Sequence, residues 1–209
     1  MKYVDLLVQN NQALSCCAEE VRDAINAILK MYHLNGKLLL CGNGGSAADC
    51  SHIAGELLKG FLLRRPIPAE DQSRLELLEC RNSLQRGICA ISLPDQGAVL
   101  SAYANDENPD MIYAQLVYAM RAKGDVFLGL STSGNSKNVV YAARCAKGLG
   151  LTTIAMTGDN GGKLAEICDI VIRVPATETY LVQEYHLPIY HAICAQIEEE
   201  LFGSDTESF

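Results

Sequence analysis

The pattern of apolar and polar positions divides the chain into a helical start and a longer region in which strands and helices alternate. Between residues 4 and 33, apolar side chains recur three or four positions apart, which predicts one long amphipathic helix or two. From residue 37 onward, short apolar runs each lead into a cluster of Gly, Ser, Thr or Asn and then into helix-like sequence. The runs that predict strands are 37–41, 88–93, 126–130, 152–156 and 170–174. Such strands, separated by helices, are typical of a parallel sheet covered on both faces, so we expect an α/β three-layer sandwich with a long N-terminal helix.

The ends and the least regular part of the chain complete this organisation. Residues 179–201 predict a closing helix that contains Pro188, which is expected to kink it or to mark its first turn, because proline lacks an N–H and its ring clashes with the preceding turn. Residues 65–87 hold two prolines and a charged run, and predict a surface insertion that carries a short helix. We therefore expect a single domain over 1–209, with 1–35 as its N-terminal helical segment.

Composition narrows the class of protein. With 209 residues, 49% of them hydrophobic, the chain can build one core without disulfides or a structural metal. The nine cysteines are odd in number, contain no CxxC pair and stand mostly in apolar runs, which predicts reduced, buried thiols in a cytoplasmic protein. An acidic start and the lack of an apolar run of about 20 residues argue against export and against a membrane span.

Charge argues against a nucleic-acid partner. The formal net charge is −8 and the basic residues do not cluster, whereas affinity for nucleic acid comes largely from phosphate contacts made by Lys and Arg. Arg64 and Arg65 are the one adjacent basic pair, and they precede a proline. We interpret this pair as a solvated turn, with recognition of a partner as the alternative.

Two loops at predicted strand ends carry the candidate chemistry. Residues 42–46 (GNGGS) follow the first strand and residues 131–136 (STSGNS) follow the third, each before a helix. Glycines, hydroxyls and the N–H groups of a helix start suit an anion, so together the loops predict a phosphate cradle built without lysine. The alternative is two capped helix starts, since Ser46 and Asp49 fit a capping box and Ser133 or Ser136 could be an N-cap. A third loop, 157–162, is predicted to be structural.

Neither loop fits a common nucleotide motif. Gly42, Gly44 and Ala47 match G-x-G-x-x-A, but a dinucleotide site needs an acid roughly 20 residues later at the end of a second strand. Residues 61–64 are Phe-Leu-Leu-Arg instead. The P-loop pattern G-x-x-x-x-G-K-[ST] does not occur in the sequence.

Histidines and carboxylates form a second set of candidates. His52 and Glu56 stand four residues apart after the first loop and therefore share one helix face. Near the end of the chain, Gln183, Glu184, His186 and His191 lie close in sequence. These groups suit proton transfer at a sugar carbon or a divalent metal with nitrogen and oxygen ligands, although a buried core histidine is the alternative for His52 or His191. His33, alone at a helix end, is interpreted as structural.

These motifs resemble those of sugar isomerase (SIS) domain proteins, and within that family the match is closest to the phosphoheptose isomerases. The resemblance spans nearly the whole chain and rests on CGNGGS with Asp49, His52 and Glu56, on Asn105-Asp106, on STSGNS, and on Gln183-Glu184-x-His186 with His191. It implies a flavodoxin-like five-stranded parallel sheet and a homotetramer with active sites at subunit interfaces. It also implies conversion of sedoheptulose 7-phosphate to D-glycero-D-manno-heptose 7-phosphate through an enediol. That reaction begins the synthesis of nucleotide-activated heptose for lipopolysaccharide or other surface glycans.

The resemblance also implies a role for individual residues. It assigns the phosphate to Ser131, Thr132, Ser133 and Ser136. It assigns the sugar to Asn43, Gly44, Gly45, Glu56, Asn105, Asp106 and Gln183. One Zn²⁺ per subunit is implied at His52, Glu56, Gln183 and His191, with Glu56 and His191 as the acid/base pair. A carboxylate suits transfer of a carbon-bound proton and a histidine suits transfer between oxygens, while a metal could polarise the carbonyl or orient the open-chain sugar.

Two alternatives remain open from the sequence. A non-catalytic SIS protein of the replication-initiator-associating type would share the phosphate loops but lack the complete acid/base set, and here both Glu56 and His191 are present. Isomerisation of another sugar phosphate is the second, because the insertion is longer than in typical heptose isomerases and is expected to alter the rim of the pocket. Pro188, between Gln183 and His191, is expected to shift their relative position. Lys59 and Arg64 receive no role.

Overall fold

A five-stranded parallel sheet organises the computed structural model, which describes residues 1–205. Its strands are β1 (Leu38–Cys41), β2 (Ala90–Ser92), β3 (Val126–Leu130), β4 (Thr152–Thr157) and β5 (Ile170–Arg173). The spatial order is β2-β1-β3-β4-β5, and every neighbouring pair is parallel. This is the order of a flavodoxin-like sheet, and it confirms the predicted fold class.

Helices cover both faces of the sheet. They are α1 (Lys2–Asn10), α2 (Ala18–His33), α3 (Gly45–Leu58), α4 (Ala69–Arg74), α5 (Gly97–Asp106), α6 (Ile112–Met120), α7 (Lys137–Gly148), α8 (Leu164–Ile167) and α9 (Thr179–Phe202). Successive strand side chains point to opposite faces, so Leu38 and Leu40 pack with α1, α2, α3 and α9, whereas Leu39 and Cys41 pack with α6 and α7. Within residues 1–205, no helix combines the length and apolar character that crossing a membrane requires.

The N-terminal segment consists of two helices rather than one. A 3₁₀ turn, Gln12–Cys17, separates α1 from α2. Asn11 breaks the first helix with φ −143°, while buried Leu14 and Cys17 continue the apolar face across the turn. The apolar spacing therefore predicts the buried face but not the break.

Pro188 lies in the interior of α9, nine residues after its first residue, so the prediction that it marks the first turn is wrong. The helix continues through it from Thr179 to Phe202.

Residues 66–85 run over the surface: α4 has no buried residue, and Pro66 and Gln85 form an isolated antiparallel bridge at the base of the segment.

Arg65 is completely buried, so the prediction of a solvated basic turn is wrong for this residue and holds only for exposed Arg64. Arg65 Nε donates to Glu198 Oε1 at 2.7 Å, and its Nη1 donates to the Leu57 carbonyl at 2.8 Å. Glu198, also completely buried, accepts the backbone N–H groups of Phe61, Leu62 and Leu63. The pair thus ties the end of α3 and the following turn to α9.

All nine cysteines are free thiols. Four are buried, Cys17, Cys41, Cys50 and Cys194, and burial raises the pKa of each thiol. Cys16, Cys80 and Cys89 are exposed, so the prediction of burial is right only for part of the set.

His186 is buried in α9, and we expect this burial to make the folded protein less stable in acid. Burial lowers the pKa of its imidazole from 6.5 to about 4, and only Nε2 has a partner, the Thr157 carbonyl at 3.4 Å. Between pH 4 and pH 6.5 His186 is protonated in the unfolded chain but neutral in the folded protein. The free energy of unfolding is therefore highest above pH 6.5 and decreases by about 3 kcal/mol as the pH drops toward 4. Urea unfolding as a function of pH measures this slope. His186→Gln should flatten it and exposed His33→Gln should not; an unchanged slope in His186→Gln would contradict the assignment.

Candidate active site

The two candidate loops meet where the strand order reverses. β1 continues outward to β2 and β3 continues to β4, so the carboxyl ends of β1 and β3 flank the crevice in which ligands bind in open α/β sheets. Asn43 and Asn138 join the loops through reciprocal amide hydrogen bonds, both 2.9 Å long. The Tyr113 hydroxyl donates to the Gly42 carbonyl at 2.7 Å. Neither Asn138 nor Tyr113 carries a sequence signal that singles it out.

Hydroxyl groups of 131–136 gather at the start of α7. Buried Ser131 donates through Oγ to Ser136 Oγ at 3.0 Å, and the Asn135 N–H donates to Ser133 Oγ at 3.2 Å. Thr132 Oγ1 faces Thr179 Oγ1 at 3.5 Å. Ser136 occupies the N-cap position of α7 but its side chain makes no capping bond, and Gly44 rather than Ser46 is the N-cap of α3. The capped-helix alternative therefore does not account for these hydroxyls.

The loop 157–162 supports the hydroxyl loop from behind, as its structural interpretation requires. The Gly158 N–H donates to the Thr132 carbonyl at 2.9 Å, and the Leu164 N–H donates to the Gly134 carbonyl at 3.1 Å. A cavity of about 200 Å³ lies between the two loops, lined by residues that include Thr132, Ser133 and Asp159.

Gly134→Ala should disrupt this contact. Gly134 has φ +65°, and a Cβ there would lie 1.9 Å from the Gly161 carbonyl oxygen, which is backbone and cannot rotate away. We expect a loss of more than 1 kcal/mol in the free energy of unfolding and weaker binding of phosphate, measured by urea unfolding and calorimetry. Gly148→Ala is the matched control: a Cβ at Gly148 meets nothing within 4 Å, and alanine favours the helix. Equal stability of the two variants would contradict the prediction.

Three of the predicted metal and catalytic residues lie together between α3 and α9. His52 Nε2 is 3.3 Å from Glu56 Oε1 and 3.5 Å from His191 Nε2. The ring of Phe61 packs beside His191, with 5.7 Å between ring centroids. Lys59 Nζ donates to the second carboxylate oxygen of Glu56 at 2.6 Å. The structure thus brings together His52, Glu56 and His191, which we call the His52 cluster.

The surroundings of the His52 cluster favour a charged glutamate and a neutral His191. Burial raises the pKa of Glu56, but the hydrogen bond and charge of Lys59 oppose burial, and the pKa lies below its usual value. Burial and the neighbouring His52 lower the pKa of His191. A carboxylate next to a neutral imidazole is an arrangement suited to exchanging protons with a bound substrate.

A tyrosine and a second carboxylate lie behind His52. The Tyr190 hydroxyl is 3.0 Å from His52 Nδ1 and donates to Asp49 Oδ1 at 3.2 Å. Burial raises the pKa of Tyr190, with a further contribution from Asp49, so the phenol keeps its proton. Sequence reasoning assigned no function to Tyr190. The available signal was its position beside His191, with Asp49 one helical turn before His52.

Other predicted residues lie elsewhere. Gln183 packs over Gly45 at the start of α3. A Cβ atom added to Gly45 would lie only 2.6 Å from the Nε2 atom of Gln183. Gln183 lies eight residues before His191 on α9, about 12 Å of rise, and the structure does not bring it into contact with His52, Glu56 or His191. Asn105 and Asp106 are exposed at the end of α5 and hydrogen-bond each other at 2.9 Å.

An apolar cavity of about 340 Å³ opens beside the His52 cluster. Side chains of α1, of α9 and of the turn after α3 line it, including Tyr3, Leu6, Phe61, Pro188 and His191. His191 therefore borders an apolar recess that helices at the two ends of the described chain build together.

The His52 cluster partly fits a divalent metal. Ligands held about 2.0–2.2 Å from a tetrahedral zinc stand roughly 3.3–3.6 Å apart, which is the spacing of His52 from both Glu56 and His191. Within the described residues, however, no three His, Cys, Asp or Glu side chains converge as a complete metal site. Nitrogen and oxygen donors of this kind suit zinc, and a bound ion would need a small closing movement and a further ligand.

Comparisons with known proteins agree with the geometry. A family model described as SIS domain matches residues 84–158. The chain is 41% identical over 183 residues to phosphoheptose isomerase 2 of Campylobacter jejuni, covering 88% of this chain and 81% of that protein. It is 36% identical to a phosphoheptose isomerase of Burkholderia pseudomallei, covering 92% and 86%. The structure of a phosphoheptose isomerase from Neisseria gonorrhoeae superimposes with TM-score 0.75 and 32% identity, covering 91% of each chain.

Proposed function

The chain belongs to the phosphoheptose isomerases, SIS-domain enzymes that isomerise sugar phosphates, and we propose that its own reaction converts sedoheptulose 7-phosphate to D-glycero-D-manno-heptose 7-phosphate. The observation that carries this proposal is the meeting of His52, Glu56 and His191 on α3 and α9. α9 starts beside the hydroxyl loop, and the loop before α3 is joined to α7 through Asn43 and Asn138. This reaction would begin the synthesis of nucleotide-activated heptose for lipopolysaccharide or other surface glycans.

Phosphate recognition would use neutral donors. Ser131, Thr132, Ser133 and Ser136 offer hydroxyls at the start of α7, where backbone N–H groups also favour an anion. A chain with net charge −8 can hold an anion in this way, because local donors rather than overall charge act at hydrogen-bond distance. Asn43, Gly44, Gly45, Asn105, Asp106 and Gln183 would contact the sugar.

Proton transfer would be divided between Glu56 and His191. Glu56 would take the proton from one carbon of the open-chain sugar and return it to the neighbouring carbon of the enediol. His191, held neutral beside His52, would move a proton between the two oxygens. The apolar recess beside His191 would limit the access of water to the intermediate.

Zinc is the metal that we propose for the His52 cluster. His52, Glu56 and His191 would hold it, and bound zinc supplies charge that polarises the carbonyl and orients the sugar. Gln183 would be the fourth ligand, and because it packs beside Gly45 rather than in the His52 cluster, we include Gln183 of a neighbouring copy in the proposal. We accordingly propose a homotetramer with active sites at subunit interfaces, acting in the cytoplasm, where its nine free thiols would stay reduced.

A substrate panel tests the reaction. Purified protein is incubated with sedoheptulose 7-phosphate and with pentose, hexose and hexosamine phosphates, each with added zinc and after chelation. We expect turnover with the heptose phosphate, lost on chelation and restored by zinc. Turnover confined to another sugar phosphate would replace the proposed substrate, and no turnover with any of them would refute the reaction.

A further inference from the structure

Asp49, Tyr190 and His52 form a hydrogen-bond chain whose direction follows from its end group. Asp49 in its ionised form can only accept, and the Tyr190 hydroxyl, 3.2 Å from Asp49 Oδ1, has one proton to donate. The Tyr190 oxygen must then accept from the imidazole nitrogen 3.0 Å away, which is His52 Nδ1. The proton of a neutral His52 is therefore on Nδ1, and Nε2 carries a lone pair.

That lone pair points at other electron-rich atoms. Nε2 of His52 faces Glu56 Oε1 at 3.3 Å and His191 Nε2 at 3.5 Å. With the opposite tautomer, an Nε2–H would simply donate to Glu56 and occupy the space between the three groups. The Nδ1–H tautomer leaves that space open to a cation, which all three groups can bind through lone pairs.

We infer that Asp49 and Tyr190 are positioning residues that fix His52 as the Nδ1–H tautomer and keep its Nε2 aimed between Glu56 and His191. The consequence for metal affinity rests on the proposed function. Both residues lie on the Nδ1 side of His52, away from the Nε2 that faces Glu56 and His191.

The packing of this chain supports a dedicated role. Tyr190 is 2% exposed, and its ring stands edge-on to the rings of both His52 and His191. The second oxygen of Asp49, Oδ2, is buried and has no hydrogen-bond partner among residues 1–205. A carboxylate kept in such a place for stability alone would be expected to have more partners, because a buried acceptor left unsatisfied is unfavourable.

The inference is tested first by the tautomer of His52 in metal-free protein, using ¹⁵N NMR of the histidine rings, with His52 assigned by a His52→Gln variant. Wild type is expected to show protonated Nδ1. In Asp49→Ala, Tyr190 is free to donate to His52, so His52 should switch to protonated Nε2. In Tyr190→Phe the donor and acceptor are both lost, and a mixture of tautomers is expected. Tyr185→Phe, which removes a hydroxyl from the same helix, is the matched control and should behave as wild type.

Zinc affinity, measured by competition with a chromophoric chelator, is the second readout. Loss of partners of this kind lowers metal affinity about 10–100-fold, so we expect that loss in Tyr190→Phe and Asp49→Ala, and a change of less than about twofold in Tyr185→Phe. Wild type with protonated Nε2, or Tyr190→Phe with unchanged tautomer and unchanged zinc affinity, would overturn the inference. The NMR measurement needs neither metal nor substrate, so a protein that fails to isomerise heptose phosphate would refute the proposed reaction and still report the tautomer.

Discussion

Glu56→Gln is expected to lower kcat for the sugar phosphate by about 10²–10⁴-fold, because the amide cannot accept the carbon-bound proton. Gln keeps the size of the side chain and an oxygen toward His52. The variant loses the negative charge that pairs with Lys59 Nζ at 2.6 Å. Because this ion pair is partly exposed, its loss should change the free energy of unfolding by less than about 1 kcal/mol. Turnover, zinc content and urea unfolding are measured on the same preparation, so that loss of proton transfer is separated from loss of metal or fold.

Hydrogen exchange with solvent can distinguish the proposed role of Glu56 from that of His191. In deuterium oxide, Glu56→Gln should exchange no carbon-bound hydrogen of the substrate. His191→Ala should also lose net conversion but should still exchange that hydrogen, because Glu56 can remove and return it at the same carbon. Glu200→Gln, an exposed carboxylate near the end of α9, serves as the control and should retain wild-type rates. Undiminished turnover in Glu56→Gln or His191→Ala would contradict the assignment of the acid/base pair.

The sequence predicts most of this fold because each strand is marked by a short run of apolar residues. Each strand is a short apolar run, fully buried in β1 and β3 and partly exposed in the edge strands β2 and β5, and the observed strands begin or end within two residues of those runs. The choice between one N-terminal helix and two stayed open in the sequence because the 3₁₀ turn between α1 and α2 keeps its apolar side chains on the buried face. The sequence leaves open whether Pro188 kinks the helix or marks its first turn, because only the packing of α9 decides that the helix continues through this residue.

The site divides in the same way. Spacing within one segment points to the hydroxyl loop and to His52 with Glu56, and the structure brings His191 beside them. The partners that hold these groups lie far away in sequence: Tyr190 and Asp49 are 141 positions apart, and Asn43 and Asn138 are 95 apart. No periodicity within a segment encodes such pairs, and they become visible only when the sheet brings α3, α7 and α9 together.

Arg65→Met is expected to destabilise the protein by about 3–5 kcal/mol, a large share of the stability of an ordinary domain. Glu198 would remain completely buried with its negative charge and without the guanidinium 2.7 Å away. The Leu57 carbonyl at the end of α3 would also lose its donor. Urea unfolding measures the loss, with exposed Arg64→Met as the control, for which less than about 0.5 kcal/mol is expected.

The double variant Arg65→Met/Glu198→Gln separates charge from packing. Its single amide oxygen can still accept the N–H groups of Leu62 and Leu63, while the N–H of Phe61 loses its acceptor. No unpaired charge stays in the core, so the double variant should be more stable than Arg65→Met alone. If packing against Phe202, 4.9 Å from the Arg65 guanidinium, were the main contribution, the two variants would be equally unstable. If the free energy of unfolding of Arg65→Met were within about 1 kcal/mol of that of wild type, the Arg65–Glu198 pair would not be what holds the turn 61–63 in place.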